Sequence, residues 1–130
     1  MRQLISGAEL VLASELTIVE CERVLIRAVA LNQLGEADLG ARRAWLQAAA
    51  AHWTLFALDR QILERACRPF PKEPIRTLDA LHLSTAVFAR TVVPDVRFLS
   101  LDDRVRSSAR ELGFEVLPDG RSESWASRVD

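Results

Sequence analysis

Short apolar runs alternate along this chain with longer stretches in which apolar residues return every three or four positions, the patterns of strands and amphipathic helices respectively. Glu9-Leu10-Val11-Leu12-Ala13 predicts a short buried strand, and Ser14 then offers a capping hydroxyl to a helix over 15–34, where Leu16, Val19, Val24 and Ile26 keep helical spacing. An alanine-rich helix is expected over 38–51 with Asp38 as its cap. Residues 53–58 are strand-like, and Asp59 is placed to cap a helix that Pro69, Pro71 and Pro74 must stop. Thr77 is expected to cap the next helix, running through Ala89 with Leu78, Leu81, Ala86 and Phe88 or Ala89 toward the core. Phe98-Leu99-Ser100-Leu101 predicts a strand, 102–112 a helix closed by Gly113 at its C′ position, and 114–117 a last strand. Strands separated by helices predict an α/β fold of three layers, α/β/α, around a parallel sheet. It occupies 1–118, with a polar tail over 119–130.

Composition narrows the class. A chain of 130 residues, 49% hydrophobic and 27% charged, suits one domain with one core. The N-terminal run is broken by Arg2 and Glu9 and is too short to span a bilayer, so a cytoplasmic protein is expected. Cys21 and Cys67 fall inside helical patterns without metal-ligand spacing, which points to neither a disulfide framework nor a zinc site. A net charge of −1 supplies no global field for a polyanion. The excess of arginine over lysine, beside abundant alanine, is accounted for by codon bias of a GC-rich genome rather than by selection for RNA contact.

The candidate chemistry is carboxylate chemistry. Glu20 lies early in the helix after the first strand, Asp79 in the first turn of the helix starting near Thr77, and Asp102 where the strand 98–101 ends. Open parallel sheets place their ligand crevice at such strand-to-helix junctions. Two carboxylates ~4 Å apart repel by roughly 4 kcal/mol at an effective dielectric of about 20, so a converging trio requires a proton or a divalent cation. Oxygen-only ligands select magnesium or manganese. An alternative stays open from spacing alone: Asp79 and Asp102 are also favoured in first turns by the helix dipole, and Glu20 with Glu22 and Arg23 also suits a solvated helix face.

Two segments add a resemblance. Arg76-Thr77-Leu78-Asp79-Ala80-Leu81-His82-Leu83-Ser84-Thr85-Ala86 is similar to the LDALHLATA signature of PIN domains of the VapC toxin type, and Phe98-Leu99-Ser100-Leu101-Asp102-Asp103-Arg104 to their FLTxDxR strand end. Ala13 through Glu20 with Arg23 resembles the family's strand and second acid-bearing helix, and 109–116 its closing helix and strand. The resemblance implies a metal-dependent endoribonuclease, the toxin of a VapBC-type pair, with Glu20, Asp79 and Asp102 as catalytic metal ligands. It further implies Asp103 as a candidate fourth acid, Ser100 and Thr77 as supporting hydroxyls, and magnesium or manganese as cofactor. Arg104 and Arg106 are candidates for the RNA backbone, with ordinary surface charge as the competing account. His82 is expected to be structural. The implied partners are an RNA substrate, a VapB-like antitoxin and a second copy of the chain, with no membrane.

One part of the family pattern has no counterpart. The opening strand of LDTS or LDSS type, which carries the first aspartate in the middle of the sheet, matches nothing here, so the expected fold is PIN-like without its first central strand. A start methionine placed too far downstream and a decayed gene both account for this. The second would leave a catalytically inactive module that binds an antitoxin or a partner subunit.

Overall fold

The computed structural model describes residues 2–119, so most of the expected tail and Trp125 lie outside the described residues. In chain order the elements are α1 (Arg2–Gly7), β1 (Leu12–Ser14), α2 (Leu16–Ala30), α3 (Glu36–Ala50) and β2 (Thr54–Phe56). They continue with α4 (Arg60–Ala66), α5 (Thr77–Val92), β3 (Phe98–Leu99), α6 (Asp103–Glu111) and β4 (Val116–Leu117). The described residues divide into two compact units, Ala8–Leu58 and a second that joins α1 to Asp59 and the described residues after it. The fold is α/β as expected, and every strand pair is parallel. The strands form two separate two-stranded ladders, β1-β2 and β3-β4, where the alternating pattern predicts a single sheet.

In the first unit β1 pairs with β2 from Leu12↔Thr54 to Ser14↔Phe56. The ladder is extended by Thr54 N–H donating to Val11 O and Glu15 N–H to Phe56 O. Ser14 does not hold the cap position, which falls on Glu15, but its hydroxyl accepts the Leu16 N–H at 3.1 Å, supplying a partner to one of the amides that a helix start leaves unbonded. The helix stops at Ala30 rather than 34 because Asn32 takes a left-handed φ of 55°. Gln33 N–H then reaches back to Ala28 O and Asn32 N–H to Val29 O, a Schellman closure that asparagine tolerates without glycine. Asp38 is not the cap of α3. Gly35 holds that position in an extended conformation, and Asp38 sits in the first turn, where its charge still complements the helix dipole. Glu22 Oε2 accepts from Arg43 Nε at 2.8 Å, tying α2 to α3 rather than joining Arg23 on a solvated face. Within this unit the fully buried side chains are those of Ser14 and Leu46.

The second unit contains the hydrophobic core, built from Phe70, Ala80, Leu83, Val105, Ala109, Phe114 and Val116. Asp59 caps α4 as expected, accepting the Ile62 N–H at 3.1 Å. Thr77 is the first helical residue of α5 rather than its cap, a position held by Arg76 in extended conformation. The buried stripe of α5 is Ala80, Leu83, Ser84, Thr85 and Ala89, whereas Leu78 is 46% exposed. Hydropathy misjudges this face because α5 meets its neighbours through small side chains, two of them hydroxylated, of which Thr85 Oγ1 donates to Leu81 O within its own helix.

β3 and β4 pair at Phe98↔Val116 and Leu99↔Leu117. Between them α6 ends as the sequence predicts. Gly113, at φ 92°, follows the C-cap Leu112, with Gly113 N–H bonded to Arg110 O and Phe114 N–H to Ala109 O. A Cβ at Gly113 would meet Arg90 Nη1 at 3.5 Å, an ordinary contact, so the demand for glycine is set by the backbone. Gly113→Ala is therefore expected to lower stability by roughly 1–2 kcal/mol, the left-handed penalty, measured by urea denaturation.

Candidate metal centre

The strand β3 delivers its chain to a turn built from side-chain and backbone bonds. Ser100 N–H donates to Leu117 O at 3.1 Å, carrying the β3-β4 pairing one residue past the ladder. The Ser100 hydroxyl accepts the Asp102 N–H at 3.2 Å. Asp102 Oδ1 in turn accepts the N–H groups of Arg104 at 2.9 Å and Val105 at 3.1 Å, so Asp102 is the N-cap of α6. Both bonds use the same oxygen. Among the described residues the second oxygen of Asp102 is left available to a ligand on an exposed side chain.

Asp79 approaches the same place from α5. It lies in the first turn of that helix, half-buried, and lines with Asp102 and Asp103 a concavity of about 410 Å³. Arg76 and Arg104 line it as well, alongside Pro74, Ile75 and Leu101. The hollow brings together Asp79, Asp102, Asp103 and Arg104, all singled out in the sequence, with Arg76, which was not. The available signal was position: Arg76 directly precedes the helix whose first turn presents Asp79.

Glu20 belongs to the other unit, half-buried on α2. Its neighbour Cys21 has a thiol whose pKa is raised by burial, and further by the Glu20 and Glu22 carboxylates, so it stays protonated and is a poor metal ligand at neutral pH. Cys67 is exposed, and His82 is half-buried on α5.

Arg106 requires a correction. It is neither surface charge nor placed to touch a nucleic acid backbone, being only 7% exposed. Its Nη1 donates to Ser100 O at 2.7 Å and to Leu117 O at 2.9 Å, and its Nη2 to Pro118 O at 2.6 Å. The guanidinium is engaged with three main-chain carbonyls. Thr77 lies exposed at the start of α5.

The donor set of the hollow is all oxygen, which suits a hard divalent ion and not zinc or copper. Among the described residues no group of three or more His, Cys, Asp or Glu side chains is gathered to hold a metal. Magnesium does not require such a cage: it is commonly bound by one or two carboxylates and completes its shell with water and substrate phosphate. Asp79 and Asp102 fit that mode. No helix among the described residues is long and apolar enough to cross a membrane.

The PIN-domain family profile matches residues 1–111, and with the parallel α/β architecture this makes the chain a member of the PIN-domain family. Among its relatives, Ribonuclease VapC46 of Mycobacterium tuberculosis (strain ATCC 25618 / H37Rv) is 39% identical over 93 residues, covering 72% of this chain and 68% of that protein. Ribonuclease VapC35, from Mycobacterium tuberculosis strains CDC 1551 / Oshkosh and ATCC 25618 / H37Rv, is 33% identical over 67 residues. That alignment covers 52% of this chain and about half, 49%, of VapC35. No solved structure matches the chain significantly.

Proposed function

We propose that this protein is a metal-dependent endoribonuclease, the toxin of a VapBC-type pair, that hydrolyses phosphodiester bonds in RNA. The observation that carries the reading is a hollow lined by Asp79 and Asp102, with Asp103, Arg76 and Arg104 on its walls, in a PIN-domain chain. The names of its relatives, ribonucleases of the VapC series, support the substrate class. Asp79 and Asp102 would hold a magnesium or manganese ion, with Asp103 as an auxiliary donor. When bound, such an ion polarises a phosphodiester and lowers the pKa of a coordinated water.

The remaining work falls to the chain's own groups. The α6 amides fix one oxygen of Asp102, so its carboxylate is oriented before any ligand arrives and little reorganisation is required. Ser100 stabilises the turn that presents it. Arg76 and Arg104 supply positive charge beside three carboxylates, and a guanidinium grips phosphate oxygens in a fork that lysine lacks. Their role is to hold RNA by its backbone, without reading sequence. A VapB-like antitoxin and a second copy of the chain are the proposed partners, and the cytoplasm the proposed location.

The test is cleavage of a structured, end-labelled RNA by the purified full chain. Cutting is expected with magnesium or manganese, to cease in excess chelator, and to return when metal is restored. Cutting that continues in chelator sinks the proposal.

A second reading is favoured by one observation, the lack among the described residues of a three-acid cluster. On that reading the chain is a catalytically inactive interaction module. It predicts a stable antitoxin complex with no cleavage under any metal, which the same assay distinguishes when paired with a binding measurement.

A further inference from the structure

We infer that Arg106 is a positioning residue for the candidate centre, holding Asp102 in place through the backbone of the Ser100–Asp102 turn. The inference rests on the nuclease reading for its functional meaning, and on the hydrogen-bond geometry for its physical content.

The strands that carry the turn are short. β3 and β4 pair at only two register positions, Phe98↔Val116 and Leu99↔Leu117, and so short an isolated parallel ladder does not by itself fix the strand ends. Arg106 closes the gap just beyond the ladder. Its guanidinium joins the end of β3, at Ser100 O, to the end of β4 and the residue after it, at Leu117 O and Pro118 O, with donor distances of 2.6 to 2.9 Å. These bonds carry a full charge and lie in a buried environment, where each is stronger than a neutral bond in water.

The same residue also holds Asp102 from the helix side. Arg106 N–H donates to Asp102 O at 2.9 Å, the first helical bond of α6. Asp102 N–H returns to the Ser100 hydroxyl, and Ser100 O returns to the Arg106 guanidinium. The bonds form a closed ring through Ser100, Asp102 and Arg106, and the Asp102 carboxylate projects from it. Only arginine completes this ring. Three carbonyls spread over two strand ends match a planar fork with several donors, whereas a lysine ammonium is a single point at the end of a flexible stem.

The experiment uses the full chain carrying Arg106→Met, Arg106→Lys or, as a control, Phe114→Leu. Phe114 is buried in the same core against Phe98 and Arg90 and takes part in none of the hydrogen bonds of the ring, so its truncation loosens packing while leaving those bonds in place. Three readouts are taken on each folded protein: manganese affinity of the metal-free chain by calorimetry, the kcat and KM for RNA, and amide hydrogen exchange across 99–105. Both Arg106 variants are expected to weaken manganese binding roughly 10- to 100-fold, the usual cost of losing an outer partner of a ligand, and to lower kcat with KM for RNA little changed. Exchange across the turn should quicken in the same variants. Phe114→Leu should lower the melting temperature yet leave manganese affinity and turn exchange at wild-type values.

The inference is overturned if the Arg106 variants bind manganese as the parent does, or if Phe114→Leu weakens it equally, which would make Arg106 merely structural. If Arg106→Met fails to fold, Arg106→Lys, which keeps the charge and part of the bonding, decides alone. A parent protein that binds manganese but cuts no RNA defeats the nuclease reading, while the affinity and exchange comparison still judges Arg106.

Discussion

Asp102→Asn is expected to abolish metal-dependent RNA cleavage while leaving the fold almost as stable as before. Asparagine caps a helix about as well as aspartate, so the bonds from Arg104 and Val105 amides survive and the stability change should stay within about 0.5 kcal/mol. What is lost is the negative oxygen toward the hollow. Asp102→Ala should lose both, costing about 1 kcal/mol in addition to activity. Asp79→Asn, in the first turn of α5, should also silence the protein. Each loss should exceed the roughly 10- to 100-fold expected for outer-shell partners. Cleavage kinetics beside urea denaturation of the variants separates the ligand from the cap. An Asp102→Asn protein that cuts RNA at the parental rate would reduce this carboxylate to a helix cap and remove the metal site with it.

The second large effect is on stability. Leu83 is fully buried, at 0% exposure, in the core that α5 shares with Phe70, Val105, Phe114 and Val116. Leu83→Ala is expected to cost about 2–5 kcal/mol, from lost transfer energy plus the cavity left behind. That is a large fraction of the 5–15 kcal/mol, roughly, that separates folded from unfolded states in small domains. The same substitution at Leu78, five positions earlier and 46% exposed, should cost well under half as much. Thermal and urea unfolding of the pair measures the contrast, and equal losses would restore the helix face that hydropathy alone suggests.

Much of the architecture was legible where local chemistry decides it. Asp59 caps the helix it precedes, Gly113 closes α6 at positive φ, and Pro69 to Pro74 separate α4 from α5. These are short-range effects between residues a few positions apart, so the sequence carries them directly. Asp102 was singled out for the same reason, standing between β3 and α6, whereas Asp79 was singled out by its place in the first turn of α5, a helix that α4 and not a strand precedes. What the sequence concealed depends on distant groups. Arg106 reads as surface charge because its carbonyl partners at Leu117 and Pro118 are more than ten positions away and carry no side-chain signature. The core face of α5 was misjudged because Ser84 and Thr85 are polar by composition but buried by packing. Asn32 ended α2 early through a conformation that glycine more often signals. One continuous sheet was expected from the alternation of strands and helices, a pattern that gives strand direction but not which strands share bonds.

The uneven distribution of buried side chains has a consequence for how the molecule fluctuates. In the stretch 8–58 only Ser14 and Leu46 are shut away from solvent, so α2 and α3 have few contacts that must break together. Such helices open by fraying and by brief excursions of a turn or two, at far smaller free-energy cost than global unfolding. The segment bearing Glu20 is thus the readily yielding part of the protein, while the aspartates of the hollow ride on its most resistant part.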